Sequence, residues 1–161
     1  MIRTVKTEDA KTLVVIYNYY IQHTVITFEE AILTETEFVD RINNVARDYP
    51  WLVHIEQQEI TGYAYANTWK SRSAYRQCVE ISMYLAPEFV GRGIGTKLYL
   101  ARIEELKLQG IHSLIAGIAI PNEASIALHR KLGFEKIGYF KEVGKKFNRW
   151  LDVEYWEYLI K

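Results

Sequence analysis

Cysteine is almost absent from this sequence. Cys78 stands alone among 161 residues, so no disulfide can close within the chain, and such usage suits a reducing compartment. Neither sign of charge is in excess, because 20 Lys and Arg balance 20 Asp and Glu. That balance argues against nucleic acid or an anionic membrane as the main partner. No apolar run approaches the ~18 residues that a membrane span needs, and Met1-Ile2-Arg3 does not open a signal peptide. A cytoplasmic location is expected. No group of His, Cys, Asp and Glu has metal-ligand spacing, so no metal is expected. Repeats, linkers and low-complexity segments are missing too.

What remains is an ordinary globular composition, 49% hydrophobic and 25% charged. It is enough for a single domain over residues 1–161 with a sizeable core. Residues 2–5 read as a strand. Thr7 is placed to cap a helix whose apolar face runs through Leu13, Val14, Tyr17, Tyr20 and Ile21. Thr34 and Glu37 form a capping box for a second helix ending near Arg47, with Phe28 in the loop between the two helices. Gln57-Gln58 separates two strands, 51–56 and 60–69, as a hairpin. After a polar connection at 70–74, a central strand is expected from about Tyr75 to Leu85. A helix follows over 93–109 and ends at Gly110, then a buried strand over 113–120 and a short helix over 122–132. Strands 134–143 and 150–159 close the sheet, and the basic run 141–149 between them reads as a solvated hairpin turn. The expected fold is α/β, a central mixed sheet flanked by helices.

The stretch Val79 to Gly95 (VEISMYLAPEFVGRGIG) organises the rest. Its strand alternates Cys78, Glu80, Ser82 and Tyr84 on one face with Val79, Ile81, Met83 and Leu85 on the other. Beyond Pro87, the glycine turn Gly91-Arg92-Gly93-Ile94-Gly95 feeds a helix. Such a turn aims unpaired N–H groups and the positive end of the helix dipole at one spot, which suits a phosphate. The order Gly95-Thr96-Lys97 does not fit a nucleotidase phosphate loop, and the glycine spacing fits the dinucleotide fingerprint poorly. A plain tight turn stays open on these residues alone.

Two side chains stand out as proton carriers. Glu80 is a carboxylate in the middle of an apolar strand, costly there unless partnered or near water. It is either a surface-facing residue or a general base whose carboxyl partial burial would raise. Asn122, Ser125 and His129 share one helix face. His129 is either a satisfied structural histidine or, as a histidinium, an acid able to protonate a departing thiolate. Cys78 lacks a paired histidine and reads as packing.

The glycine turn, the helix and strand after it, and Asn122 to Phe134 (NEASIALHRKLGF) together resemble the GNAT superfamily of N-acetyltransferases over essentially the full length. Trp69 to Tyr75 (WKSRSAY), Cys78-Val79-Glu80, His129 and Arg149 to Val153 (RWLDV) are similar to its phosphinothricin N-acetyltransferase branch. The resemblance implies acetyl-CoA as co-substrate and direct transfer to a small-molecule amine, with Glu80 as base and His129 as acid. It implies cofactor contacts from the backbone of Met83, Tyr84 and Leu85. It gives the pyrophosphate to Gly91, Arg92, Gly93, Ile94, Gly95 and Thr96, with Asn122, Ser125 and Lys131 helping. It implies an acceptor site from Phe28, Arg72, Ser73, Ala74, Tyr75 and Asp152, with Arg72 clamping an acidic group, and a homodimer. Val90 departs from the family's usual Arg or Gln and removes a phosphate contact. Other acceptors on the same fold, a protein N-terminus or a polyamine, stay open. So does a non-catalytic acyl-CoA-binding module, against which the presence of both Glu80 and His129 speaks.

Overall fold

The computed structural model describes residues 1–161. Seven strands form one mixed sheet: β1 (Ile2–Thr4), β2 (Leu52–Glu56), β3 (Glu59–Thr68), β4 (Cys78–Leu85), β5 (Ser113–Ala119), β6 (Glu135–Lys146) and β7 (Arg149–Leu159). Their order is β1-β2-β3-β4-β5-β7-β6. Helices α1 (Ala10–His23) and α2 (Glu35–Ala46) precede β2, α3 (Ile94–Leu108) joins β4 to β5, and α4 (Glu123–Lys131) follows β5. The mixed α/β architecture is the one expected.

The strand register sorts side chains between two cores. In the β3–β4 ladder Tyr63, Tyr65 and Asn67 lie opposite Tyr84, Ser82 and Glu80, and Ala64 and Ala66 opposite Met83 and Ile81. Directly paired residues share a face. The first set meets α1 and α2, where Tyr84 packs its ring against Tyr17, Tyr20 and Tyr63. The second set joins Val79, Ile94, Leu98, Tyr99, Leu106, Leu114 and Phe134 in the larger core under α3.

Local chemistry explains most boundaries. Glu37 N–H donates to Thr34 Oγ1 at 3.2 Å and Thr34 N–H to the Glu37 carboxylate at 2.7 Å, the capping box read from the sequence. Such a cap is worth about 1 kcal/mol. Gln57 and Gln58 both take positive φ, 50° and 69°, as a two-residue turn between antiparallel strands requires.

Three expectations need correction. Thr7 is not the cap of α1: it opens a 3₁₀ turn, Thr7–Asp9, and the Asp9 carboxylate accepts the Lys6 N–H at 2.7 Å while pairing with Arg3. The central strand does not begin at Tyr75, because Ser73–Tyr75 is a second 3₁₀ turn, leaving Cys78 to start β4. The basic run is not a solvated turn. β6 continues to Lys146, only Phe147-Asn148 turn, with φ of 51° and 59°, and Lys146 is buried.

Candidate active site

The site begins with a ladder that stops early. β4 and β5 run parallel but pair only over Cys78–Glu80 with Ser113–Ile115. Beyond that, β4 keeps its bonds to β3 and β5 its bonds to β7, so the two strands part and a slot opens through the sheet. Ala86 N–H donates to Thr61 on the β3 side at 2.9 Å. Backbone groups alternate along a strand. Tyr84 and Ser82 therefore also address β3, while Met83 turns its N–H and carbonyl to the slot. The Leu85 carbonyl, on the same side, accepts from Tyr20 Oη at 2.6 Å. Of the three backbone positions expected to meet a cofactor, Met83 has both groups free and Leu85 its N–H.

At the far end of β4 lies the glycine turn. Gly91 and Gly93 take φ of +83° and +76°, a region that costs residues with a Cβ about 1–2 kcal/mol, and open space surrounds both. The Gly93 carbonyl accepts from Lys97 N–H, and no side chain caps the helix. The N–H groups of Ile94, Gly95 and Thr96 are therefore left without acceptors at the positive end of a 15-residue helix. Gly95 has a packing role as well, since a Cβ there would come within 2.9 Å of Met83 Cε. Arg92 lies over the Phe89 ring and Val90 is exposed. The slot, the bare turn and the orphan donors fit an acyl-CoA whose pyrophosphate meets the helix and whose pantetheine arm runs along β4.

Glu80 projects from β4 beside the slot, on the α1/α2 face. It lines a cavity of about 600 Å³ with Thr27, Phe28, Asn44, Asp48, Tyr65, Asn67, Ser82 and Gly117, among others. Burial alone raises the Glu80 carboxyl above its ordinary value; neither an ion pair nor a hydrogen bond offsets it. A half-buried carboxylate of this kind is suited to taking a proton near neutral pH. Gly117 lies alongside, where a Cβ would stand 3.9 Å from Glu80 Oε1. The cavity holds two acids, Asp48 and Glu80, and no lysine or arginine.

His129 lies on the other side of the slot. A smaller cavity joins it and Tyr99 to Ile81, Met83, Ala116 and Ile118, and shares Ile26, Ser82, Tyr84 and Gly117 with the Glu80 cavity. Its Nδ1 is 2.7 Å from the Ser125 carbonyl, an acceptor only, so that nitrogen carries the proton. Nε2 must then accept, and Tyr99 Oη donates to it at 3.2 Å. Burial holds the imidazole below its ordinary value, against the raising effect of the Ser125 carbonyl. Burial therefore favours the neutral imidazole over the histidinium expected, and with Nδ1 protonated the proton shared with Nε2 belongs to Tyr99. Burial likewise raises the Tyr99 hydroxyl. The sequence pattern over 93–109 reads only as a helix and does not single out Tyr99. The available signal was a phenol among Leu98, Ile103 and Leu106, since a buried Tyr hydroxyl needs a hydrogen-bond partner.

The remaining expected residues divide. Phe28 lines the Glu80 cavity. Asn122 uses Oδ1 to accept Ser125 N–H at 3.1 Å, capping α4 and leaving its NH₂ for other work. Ser125 and Asn122 line the smaller cavity, and Lys131 is exposed. Arg72, Ser73, Ala74 and Tyr75 form an exposed turn and do not line the Glu80 cavity within one chain. Asp152 has both oxygens engaged, with Tyr139 Oη and with Glu142 N–H at 2.8 Å. Burial raises the Cys78 thiol, which accords with packing and not with a nucleophile. No three residues of His, Cys, Asp or Glu gather as a metal site, and no helix is long and apolar enough to cross a membrane.

Known proteins match this arrangement along its whole length. The family model described as Acetyltransferase (GNAT) domain matches residues 2–155. The chain is 40% identical over 154 residues to a phosphinothricin N-acetyltransferase of Streptomyces coelicolor, covering 93% of this chain and 90% of that protein. It is 37% identical over 161 residues to an L-methionine sulfoximine/L-methionine sulfone acetyltransferase of Salmonella typhimurium, covering 96% and 91%. Among solved structures, a phosphinothricin acetyltransferase from Sinorhizobium meliloti in complex with AcCoA superposes with a TM-score of 0.96 at 35% identity, over 99% of this chain and 88% of that one. A ribosomal-protein-alanine N-acetyltransferase from Brucella melitensis superposes with a TM-score of 0.97 at 36% identity, over 99% of each chain.

Proposed function

This chain belongs to the GNAT acetyltransferase family, and on that premise we propose that it moves an acetyl group from acetyl-CoA to the amino group of a small amino acid or amino-acid analogue. The observation that carries the reading is Glu80, an unpaired carboxylate raised by burial, in a cavity that meets the slot between β4 and β5. Acetyl-CoA supplies an acetyl thioester when bound. Residues 1–161 act as one catalytic domain.

Each residue has one task. Ile94, Gly95 and Thr96 N–H groups, with Arg92 nearby, hold the pyrophosphate, and Asn122 and Lys131 assist. The Met83 backbone aligns the pantetheine arm along the slot. Glu80 takes a proton from the acceptor ammonium, directly or through one water, so that the amine presents a lone pair. Across the slot Tyr99 Oη gives its proton to the departing sulfur, so that CoA leaves as the thiol, and regains one from solvent. His129, held by the Ser125 carbonyl as the Nδ1–H tautomer, positions that hydroxyl by accepting from it at Nε2.

For the acceptor, the phosphinothricin and methionine sulfoximine relatives support a compact amino-acid analogue. The Glu80 cavity has no cation of its own to pair with an acidic group. Arg72 and Tyr75 stay exposed on the turn before β4. A homodimer gives them a use, and the exposed apolar side chains of the β6–β7 hairpin support one: Phe140, Val143, Phe147 and Trp150 are each at least half exposed. The single cysteine supports a cytoplasmic location.

The experiment is a panel of amines scored for CoA-thiol release: phosphinothricin, methionine sulfoximine, methionine sulfone, spermidine and an alanine-initiated peptide. The expected order puts the amino-acid analogues first in kcat/KM. The highest kcat/KM on the peptide would assign this chain to protein N-termini instead, as the Brucella neighbour is described.

A further inference from the structure

The wall of the Glu80 cavity formed by Ile26, Thr27 and Phe28 belongs to the connection between α1 and α2, yet it is fastened from three directions. From α1, Tyr17 Oη bonds Thr27 Oγ1 at 2.8 Å. From α2, Arg41 holds both oxygens of Glu29. From the opposite end of the chain, Lys146 Nζ donates to the Thr27 carbonyl at 2.8 Å. That bond is the only hydrogen bond joining the β6–β7 hairpin to residues 1–60.

Lys146 is an unusual choice for this place. Its side chain is 2% exposed and no carboxylate comes within ion-pair reach, Glu29 being taken by Arg41. Burying an ammonium without a paired carboxylate is costly. Glu30 and Glu29 attract it from beyond ion-pair distance, the Phe147 ring lies 5.1 Å away, and the Thr27 carbonyl gives its one hydrogen bond. Two residues earlier, Gly144 leaves bare backbone against which the Phe28 ring lies; a methyl group built on Gly144 would overlap that ring. The register of β6 against β7 shifts between Phe140 and Gly144, where Glu142 takes a φ of 50°. Asp152 fastens this bulge by accepting from Glu142 N–H and Tyr139 Oη. A bulge re-aims the strand beyond it. Here it carries Gly144 and Lys146 onto the cavity wall.

We propose that Lys146 and Gly144 are positioning residues for acceptor recognition, setting the place of Phe28 on the Glu80 cavity, with Asp152 holding the bulge that delivers them. Neither touches the reacting atoms. This rests on the reading of the Glu80 cavity as the acceptor site. It gives Asp152 a role inside its own chain, in place of the acceptor contact the resemblance implies.

The test uses the full chain with methionine sulfone as acceptor and compares Lys146→Met, Gly144→Ala and Phe28→Ala. Lys146→Met keeps the volume and removes the donor. KM for the acceptor should rise about tenfold or more, the scale of a lost hydrogen bond to a charged group. The Kd for acetyl-CoA should stay within about twofold, because the glycine turn is untouched. Gly144→Ala should raise KM in the same selective way. In a Phe28→Ala background, Lys146→Met should add little, since the two act through one contact. An unchanged acceptor KM in folded Lys146→Met overturns the proposal, and so does full additivity with Phe28→Ala. If Lys146→Met does not fold, Gly144→Ala decides alone: a normal KM overturns the proposal. Phe28→Ala is the control for the cavity itself, because an unchanged acceptor KM there removes the acceptor-site reading, whatever Lys146 does.

Discussion

Glu80 and His129 stand on either side of the slot where β4 and β5 part, each lining a cavity that shares Ser82, Tyr84 and Gly117 with the other. The proposed base and the Tyr99–His129 pair thus lie on opposite sides of the strands that would seat the acyl donor. The geometry comes from a parallel ladder only three residues long, and Glu80 is its last member on β4.

The first prediction concerns His129. Burial lowers its folded-state value, so the folded chain binds fewer protons than the unfolded chain between the ordinary value, 6.5, and the lowered one. Its contribution to stability is present above 6.5 and is lost as the pH falls through that window. Ring-nitrogen NMR at about pH 7 should show a neutral, Nδ1-protonated imidazole. A charged ring at that pH contradicts the assignment of the resting proton to Tyr99.

Glu80 has the opposite sign. Its carboxyl is raised above 4.5 by burial, so the folded chain keeps a proton that the unfolded chain has released, and stability is lost as the pH rises through that window. Glu80→Gln removes the penalty. Thermal melts should give the variant the higher Tm near pH 7 and a Tm close to the parent near pH 4. A lower Tm at neutral pH means that the carboxylate has a partner in the folded chain.

The glycine turn supplies the third prediction. Acetyl-CoA at 100 times its Kd should stabilise the chain by ~2.7 kcal/mol, and NAD should not. Gly93→Val places a β-branched residue at a φ of +76° on the helix cap. It should abolish the acetyl-CoA response while far-UV circular dichroism stays native. A retained response would show that the pyrophosphate does not meet this helix terminus.

Much of this site was legible because it rests on short-range pattern. The alternation from Cys78 to Leu85 put Glu80 on its face, and Gly91 and Gly93 marked the positive-φ turn that opens α3. The capping box at Thr34 and Glu37 was equally local. What the sequence did not disclose depends on contacts between distant segments. Tyr99 meets His129 across 30 residues, and Lys146 meets Thr27 across 119. A run of lysines reads as solvated until a bulge turns one of them inward. Asp152 was expected in the acceptor site, because nothing near it in sequence announces that Glu142 and Tyr139 fold back onto it.

Assembly gives a fourth prediction. Sedimentation velocity should report a dimer of the 18.9 kDa chain. Trp150 is 58% exposed, so Trp150→Lys should weaken the dimer without unfolding the monomer. A chain that sediments as a monomer at all concentrations leaves the hairpin face and Arg72 without the role given to them.

The central claim is that Glu80 removes the proton from the acceptor amine, and steady-state kinetics of Glu80→Gln test it most directly. With methionine sulfone as acceptor, kcat should fall by ~10²–10⁴, the usual range for a general base, while the Kd for acetyl-CoA stays near that of the parent. The parent should also lose kcat/KM as the pH drops through a value above 4.5, and the residual activity of the variant should lack that limb. Parent-like turnover in Glu80→Gln, or an identical acidic limb in both proteins, would contradict the account.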